Sequence, residues 1–215
     1  MDPGAIVSDA YVADVRHKVG ALLVLAHGAG AGHDHPFMVS TATGLAARGI
    51  DVVTFNFPYM QQRRRVPDKA PVLEETFRSV VHAVRLHKAF AGDRVFIGGK
   101  SMGGRIATHL AAAGVDELAG VIALGYPLHP PAKPEQLRIS HLPSIAAPVL
   151  IVQGERDTFG TPAELMPIIE TMRASVTLHV IAGGDHSLGV RGRTREDVSR
   201  EFLDVIRDWV ARYSV

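Results

Sequence analysis

Short apolar runs rich in valine, isoleucine and leucine recur along the chain, and segments with helical periodicity separate them. Each run has the length and composition of a parallel strand that is buried on both faces. The runs are Ala21–Ala26, Val52–Phe57, Val95–Ile97, Val121–Leu124, Val149–Val152 and Val176–Ile181. Repeated alternation of strands and helices is typical of a doubly wound sheet. The sequence therefore predicts an α/β fold with a mostly parallel sheet and helices on both faces.

Two segments have apolar residues on one helical face, which would pack a helix against the sheet. The first stripe is Phe77, Val80, Val81 and Val84, and the second is Val198, Phe202, Val205, Ile206 and Trp209. Three signals mark helix ends. Pro36 suits a first helical turn, Gly49 suits a C-terminal cap, and Thr161–Glu164 combines a capping box with a proline at the first position.

Two segments are predicted to be loops. Tyr126–Ala147 contains five prolines and little helical periodicity, so we expect no large lid and an open, shallow site. Pro58–Pro71 carries the basic run Arg63–Arg65. Tyr59, Arg63 and Arg64 are candidates for a substrate rim, although most such basic runs are only solvated.

Composition excludes several classes of protein. The chain has 215 residues, with 23 lysines and arginines against 22 acidic residues, so its charge gives no reason to expect nucleic acid or an anionic membrane as partner. It has no cysteine, which excludes disulfides and thiolate metal sites. We find no signal peptide and no apolar stretch long enough to span a membrane. We expect a single domain over residues 1–215 in the cytoplasm, and the formation of a homodimer stays open.

The segment Gly99–Gly103 reads GKSMG and matches G-x-S-x-G, in which a tight turn between a strand and a helix exposes a serine. The pattern alone is weak because glycine and serine are common. Here Ser101 directly follows the predicted strand Val95–Ile97 and precedes the alanine-rich stretch Arg105–Ala113, which is the setting the motif requires. Ser101 is therefore the candidate nucleophile. Lys100, at the variable position, is expected to point away from it.

A serine nucleophile needs a base, and the base needs a group that orients it. Asp157 follows the fifth predicted strand and His186 follows the sixth, in the chain order Ser, Asp, His that this motif accompanies. Loops at the carboxyl ends of parallel strands meet at one edge of a sheet. Glu155 and Asp185 are the competing carboxylates, but Asp185 adjoins His186 and would have to fold back to orient the ring.

The first predicted strand ends in the glycine-rich stretch His27–Gly32. Its backbone N–H groups can face a developing oxyanion, and we expect the N–H of Ala29 and that of Met102 to form the oxyanion hole. Nucleotide binding is the rival interpretation. It fits poorly, because the stretch lacks both the Gly-Lys-Ser/Thr ending of a P-loop and the register of a dinucleotide site.

A metal site is a further alternative, since His27, His33, Asp34 and His35 lie close together in the sequence. Asp34 or His35 is better explained as the cap of the helix that Pro36 opens. Neighbouring loop histidines rarely converge on a metal without further ligands. We expect no metal and no cofactor.

Six segments of the chain together resemble a known family. They read LAHGAGAGHDHPFM, FNFPY, GGKSMGGR, GYPLHPP, VQGERDTFGTP and GGDHSL. They are similar to small bacterial α/β-hydrolases of the dienelactone-hydrolase type, which are related to hydrolase-like domains of a chromatin acetyltransferase subunit and of a testis-expressed protein. The resemblance extends from about Leu22 to Trp209 and implies the α/β-hydrolase fold.

The resemblance also implies roles for matching positions. It assigns Ser101, Asp157 and His186 to a catalytic triad and Ala29 to the oxyanion loop. True dienelactone hydrolases use cysteine where this chain has Ser101, so dienelactone is not the expected substrate.

The sequence supports two main hypotheses of function. The first is a serine hydrolase that cleaves a small-molecule carboxylic ester or thioester through an acyl-enzyme. The second is a non-catalytic interaction module, because fold does not fix function and the eukaryotic relatives of the family can serve as such modules.

Overall fold

A seven-stranded sheet forms the centre of the computed structural model, which describes residue 6, residues 8–115 and residues 117–214. The strands are β1 Ser8–Tyr11, β2 Ala21–Ala26, β3 Asp51–Phe55, β4 Arg94–Lys100, β5 Leu118–Leu124, β6 Val149–Gly154 and β7 Val176–Ile181. Their order across the sheet is β1-β3-β2-β4-β5-β6-β7. Strands β2 to β7 run parallel, and β1 pairs antiparallel with β3. The predicted α/β fold class is confirmed.

All six predicted runs form strands, with differences at their ends. The run Val52–Phe57 was predicted too long, because Phe57 already caps a helix that begins at Pro58. The run Val95–Ile97 was predicted too short, because the two glycines before Lys100 continue the parallel pairing with β5. Strand β1 was not predicted. Its sequence SDAY is mostly exposed and carries no apolar run.

Six α-helices connect the strands in the described part of the chain. They are α1 Pro36–Ala46, α2 Pro58–Gln61, α3 Ala70–Leu86, α4 Met102–Ala112, α5 Pro162–Ile169 and α6 Arg195–Tyr213. Both predicted helical stripes are largely buried, one on α3 and the other on α6. No helix among the described residues is long and apolar enough to cross a membrane.

The core has two halves, one on each face of the sheet. In β2, Leu22 and Val24 pack with α3 and α4, whereas Leu23 and Leu25 pack with α1 and α6. This division follows from the alternation of side chains along a strand. Burial on both faces explains why the strands read as continuous apolar runs.

The predicted helix ends are present. Pro36 begins α1, and Thr161 and Glu164 form both hydrogen bonds of a capping box at α5. Gly49 lies beyond the end of α1 with φ 88°, and the N–H of Ile50 returns to the carbonyl of Leu45. A side chain at Gly49 would collide with the carbonyl oxygen of His17, so the turn requires glycine.

The prediction of an uninterrupted loop over Pro58–Pro71 is wrong at both ends, because α2 occupies the start of the segment and α3 begins at Ala70. Pro58 fits the first position of α2 because its fixed φ suits a helix and its missing N–H has no helical partner there. The other predicted loop, Tyr126–Ala147, contains only a 3-10 turn at Leu142–Ser144 among its described residues. No lid covers the carboxyl edge of the sheet from this segment.

Candidate active site

Ser101 lies in a strained turn between β4 and α4. Its φ is 51° and its ψ is −114°, a conformation that non-glycine residues rarely adopt. The neighbouring glycines make the turn possible. A Cβ at Gly99 would lie 2.5 Å from the carbonyl oxygen of Ala26, and one at Gly103 would collide with the same atom. The geometry is that of a nucleophile elbow.

Three side chains that are far apart in the sequence meet at this turn. Nε2 of His186 lies 2.8 Å from Oγ of Ser101. Nδ1 of the same ring lies 2.8 Å and 3.0 Å from the two carboxylate oxygens of Asp157. An ionised carboxylate only accepts hydrogen bonds, which assigns the ring proton to Nδ1. Nε2 therefore has a free lone pair, and the hydroxyl of Ser101 donates to it.

Further contacts hold the carboxylate of Asp157, which is buried. One oxygen accepts from the N–H of Phe159 at 2.8 Å, and the other accepts from Nε2 of Gln153 at 2.9 Å. Gln153 also binds the backbone of Tyr126 and of Gly160. The side-chain amide thus links the loop after β5 to the loop after β6. Sequence reasoning missed this role, because a lone glutamine at a strand end carries no signal.

His186 has two additional contacts that sequence reasoning also missed. The ring of Phe159 stacks on the imidazole, with 4.1 Å between ring centroids and 26° between planes. Nζ of Lys100 donates to the carbonyl oxygen of His186 at 2.6 Å. Burial lowers the pKa of Lys100 to about 8, and the charges of Asp157 and Asp185 oppose this shift.

The two competing carboxylates both bind backbone N–H groups. Asp185 accepts from the N–H groups of Ser187 and Gly189 and so shapes the turn that carries His186. Glu155 accepts from the N–H of Gly183 at 2.7 Å. Neither contacts the imidazole in any hydrogen bond of the described residues.

The glycine-rich loop after β2 lies beside Ser101. A Cβ at Gly28 would be 3.8 Å from Cβ of Ser101. The hydroxyl of Tyr59 donates to the carbonyls of Ala29 and Gly28 at 3.0 Å and 3.4 Å. His27 also binds the Gly28 carbonyl through Nδ1, at 2.7 Å. These contacts fix the carbonyl oxygens of the loop.

The buried imidazole of His27 joins this loop to the next strand. Its Nε2 accepts from the N–H of Phe57 at 3.1 Å. Burial lowers the pKa of His27 to about 4, so the ring is neutral near pH 7 and can donate at one nitrogen while it accepts at the other. Among the backbone hydrogen bonds of the described residues, none uses the N–H of Ala29 or that of Met102. The assignment of these two N–H groups to an oxyanion hole stays a prediction.

A groove of about 1230 Å³ adjoins the loop and runs between α1 and α6. Gly28 and Lys100 line its end near Ser101. Much of the rest is lined by apolar side chains and arginines, among them Phe37, Met38, Leu188, Phe202, Arg48, Arg191, Arg193, Arg195 and Arg200, and acidic and hydroxyl side chains also contribute. Ser101, Asp157 and His186 are not among the residues that line it.

Residues 19–211 match the family model described as the alpha/beta hydrolase domain. The match covers well over half of the chain. The chain belongs to the α/β-hydrolase family. The predicted resemblance to bacterial α/β-hydrolases is thereby confirmed, whereas the relation to a chromatin acetyltransferase subunit and a testis-expressed protein stays a prediction.

Solved structures of other α/β-hydrolases share this fold. The dienelactone hydrolase of Anabaena variabilis is 18% identical with a TM-score of 0.78, over 98% of this chain and 93% of that one. An α/β serine hydrolase without a lid, from Xanthomonas campestris, is 20% identical with a TM-score of 0.74, over 97% and 91%. Est1E from Butyrivibrio proteoclasticus, with ferulic acid bound, is 17% identical with a TM-score of 0.74, over 98% of both chains.

One predicted position in this α/β-hydrolase is wrong. Tyr59 does not line a substrate rim, because its side chain is fully buried and its hydroxyl binds the glycine-rich loop. Arg64 forms an ion pair with Asp68 at 2.6 Å, and Arg63 is exposed with φ 55°. No contact of the described residues joins either arginine to Ser101, so their place on a rim stays a prediction.

The histidines near the glycine-rich loop have structural partners. His35 caps α1 by accepting from the N–H of Phe37 at 3.2 Å, as the sequence predicts for this position. The N–H of His33 donates to the side chain of Asn56 at 2.9 Å. Within the described ranges, no group of three or more potential ligands is arranged to hold a metal ion.

Proposed function

We propose that the chain is a serine hydrolase that cleaves small carboxylic esters or thioesters through an acyl-enzyme on Ser101. Membership of the α/β-hydrolase family supports hydrolase activity. One observation carries the finer proposal. An unbroken path of hydrogen bonds runs from Asp157 through one imidazole to a serine in a strained turn. A hydroxyl needs such a base to become nucleophilic near neutral pH.

In the first half of the reaction, Oγ of Ser101 attacks the carbonyl carbon of the ester and Nε2 of His186 takes the hydroxyl proton. The carboxylate of Asp157 stabilises the imidazolium that forms. The carbonyl oxygen becomes an oxyanion, which accepts hydrogen bonds from the N–H groups of Ala29 and Met102. The tetrahedral intermediate then breaks its bond to the leaving oxygen or sulfur, which takes the proton from His186.

In the second half, water attacks the acyl group on Ser101 and His186 takes a proton from that water. The new tetrahedral intermediate releases the carboxylic acid as the proton returns to Oγ. The enzyme is restored with its original protonation. No step needs an oxidant, a reductant or a metal.

Small esters are the substrates we propose, because no lid from the Tyr126–Ala147 segment encloses the site. Each methylene that is fully buried adds about 0.8 kcal/mol, and an open site buries only the first few. We expect kcat/KM to peak at acetate or butyrate across p-nitrophenyl esters from acetate to palmitate. A steady rise through octanoate would contradict this and place the acyl chain in the groove between α1 and α6.

Turnover of p-nitrophenyl acetate by the wild type and by Ser101→Ala tests the reaction. We expect a loss of about 10⁶-fold in kcat for Ser101→Ala, because the nucleophile is removed. The melting temperature should not fall, since the substitution deletes a hydroxyl at a strained turn. Ser79→Ala is the matched control, because Ser79 is exposed on α3 and far from the elbow in sequence. Equal turnover by the wild type and Ser101→Ala would refute the proposal.

A further inference from the structure

Lys100 is a largely buried lysine whose charge is not neutralised by a direct ion pair in the described structure. Among the described residues, the one hydrogen bond of its ammonium runs from Nζ to the carbonyl oxygen of His186. Burying an ammonium without an ion pair is costly. Lysine is normally exposed, so its burial beside the nucleophile calls for an explanation beyond packing.

The bond connects two residues that the proposed reaction needs at a fixed separation. Lys100 directly precedes Ser101, and the accepting carbonyl belongs to His186 itself. The nucleophile and the base are therefore linked twice. One link is the bond of 2.8 Å between Oγ and Nε2, and the other is the bond of 2.6 Å through the lysine. The second link holds the backbone from which the imidazole projects.

Gly125 leaves the space that this bond occupies. A Cβ at Gly125 would lie 2.8 Å from Nζ of Lys100 and 3.0 Å from the carbonyl oxygen of His186. The residue has φ 66°, and its N–H donates to the carbonyl of Val152 at 2.8 Å. The turn after β5 is thus shaped to admit the lysine.

The charged and titratable groups that face the ammonium come from the loops after β6 and β7. Asp157 and Asp185 attract its charge, and the imidazole of His186 lies on the residue that accepts its bond. Desolvation outweighs the two carboxylates and lowers the pKa of Lys100 to about 8. The ammonium is therefore charged at pH 7 and loses its proton in mildly alkaline solution.

We propose that Lys100 is a positioning residue, whose ammonium fixes the backbone of His186 and so keeps the imidazole within reach of Ser101. The inference rests on the proposed function, because it assigns Lys100 a task in that same reaction. A hydrogen bond from a charged donor is about twice as strong as a neutral one. The bond weakens as the lysine deprotonates, and the imidazole is then held less firmly.

The test compares Lys100→Met and Lys100→Arg with the wild type in turnover of p-nitrophenyl acetate between pH 6 and 9.5. Methionine has a similar length but cannot donate, whereas arginine keeps a charged donor throughout this range. Lys88→Met controls for the loss of a positive charge, because Lys88 is exposed on the surface. The melting temperature of each variant is measured at pH 7.

We expect Lys100→Met to lose about a hundredfold in kcat with little change in KM, since a misplacement of about 1 Å costs about that much. Wild-type kcat should fall as pH rises through about 8, following the pKa of Lys100. This alkaline fall should be absent from Lys100→Met and move to higher pH in Lys100→Arg, which should recover part of the lost rate. Lys88→Met should match the wild type.

The loss of activity in Lys100→Met should not be accompanied by a loss of stability. Because burial disfavours the ammonium, the folded state carries a cost at pH 7 that methionine removes. Lys100→Met should therefore melt no lower than the wild type. A fall in melting temperature that accompanies the loss of rate would show a merely structural role and overturn the inference.

The remaining outcomes separate this inference from the proposed function. The inference alone would be overturned if the wild type is active and Lys100→Met has a kcat within threefold of the wild-type value and the same fall of kcat at alkaline pH. A wild type without turnover of any p-nitrophenyl ester would overturn the proposed function and, with it, the role of Lys100.

Discussion

Two clusters of hydroxyl, imidazole and carboxylate groups lie along helix α4, and the distances between their contacting atoms are almost the same. At its start, His186 lies 2.8 Å from Ser101 Oγ and 2.8 Å from Asp157. Further along the helix, the hydroxyl of Thr108 lies 2.8 Å from the imidazole of His141. The imidazole of His109 lies 2.8 Å from the carboxylate of Glu74. Contact distances alone would not tell the two clusters apart.

Connectivity separates them. In the first cluster one imidazole binds both the carboxylate and the hydroxyl, so the carboxylate orients the base that takes the hydroxyl proton. In the second cluster the hydroxyl and the carboxylate bind different rings, His141 and His109, whose centroids are 4.0 Å apart. Thr108 already donates to the carbonyl of Arg105 at 2.7 Å, so it accepts from His141 and no base takes its proton. A reactive hydroxyl must donate its hydrogen bond to the imidazole, and that same imidazole must also be bound by the carboxylate.

Backbone conformation and burial also differ. Ser101 has a positive φ and is half-buried in the turn before α4, whereas Thr108 is buried within a regular helix. The side chain of Asp157 is wholly buried, whereas that of Glu74 is 28% exposed. A buried carboxylate interacts more strongly with an imidazolium than a solvated one. The comparison therefore predicts catalysis at one cluster and none at the other.

Removing the charge of each carboxylate gives the largest expected contrast. Asp157→Asn should lower kcat by about 10⁴-fold, because an amide can donate to Nδ1 and favour the wrong tautomer of His186. Glu74→Gln should leave kcat within threefold of the wild type, since its imidazole touches no nucleophile. Steady-state turnover of p-nitrophenyl acetate measures both. Equal losses in the two variants would end the distinction drawn between the clusters.

The smallest expected effect is on the stability of the fold at acidic pH, and it comes from His141 in the second cluster. Burial, with smaller contributions from His109 and Arg105, lowers the pKa of His141 to about 4. Its unfolded form binds a proton below about 6.5 while the folded form does not, so stability falls as pH drops from about 6.5 to about 4. The shift of His27 to about 4 acts in the same direction.

His141→Gln should reduce that loss. We expect the melting-temperature difference between pH 7 and pH 4.5 to shrink by about 2 °C, because the ring is only partly buried. For a chain of this size, that shift corresponds to less than about 1 kcal/mol in the free energy of unfolding. Calorimetry at the two pH values measures the difference, with His87→Gln as the control on an exposed histidine. An unchanged or larger difference in His141→Gln would contradict the shift.

The sequence predicts the sheet, and the meeting of Ser101, Asp157 and His186 at one of its edges, because each depends on local signals. Buried strands read as apolar runs, and Ser101, Asp157 and His186 each follow such a run. Strand β1 lacked this signal because it is mostly exposed. Tyr59 was misplaced for a different reason. An aromatic residue beside arginines suggests a surface, and only the folded loop shows its hydroxyl bound to Ala29.

The supporting contacts could not be predicted, because no local signal marks the residues that form them. Lys100 binds the backbone of His186 across 86 positions, and Gln153 binds Tyr126 across 27. Neither residue belongs to a motif that assigns it a partner. Their roles follow from the register of β4, β5 and β6, which brings their ends together at one edge of the sheet.

The nucleophilicity of Ser101 is the central claim, and covalent labelling tests it most directly. A fluorophosphonate reacts with a serine that a neighbouring base activates and leaves ordinary hydroxyls unmodified. Brief treatment of the folded protein, followed by peptide mass spectrometry, should show one adduct on Ser101, absent from Ser101→Ala and from protein unfolded before treatment. Thr108 should stay unmodified. No adduct on the folded wild type, or an adduct on another residue in place of Ser101, would contradict the account.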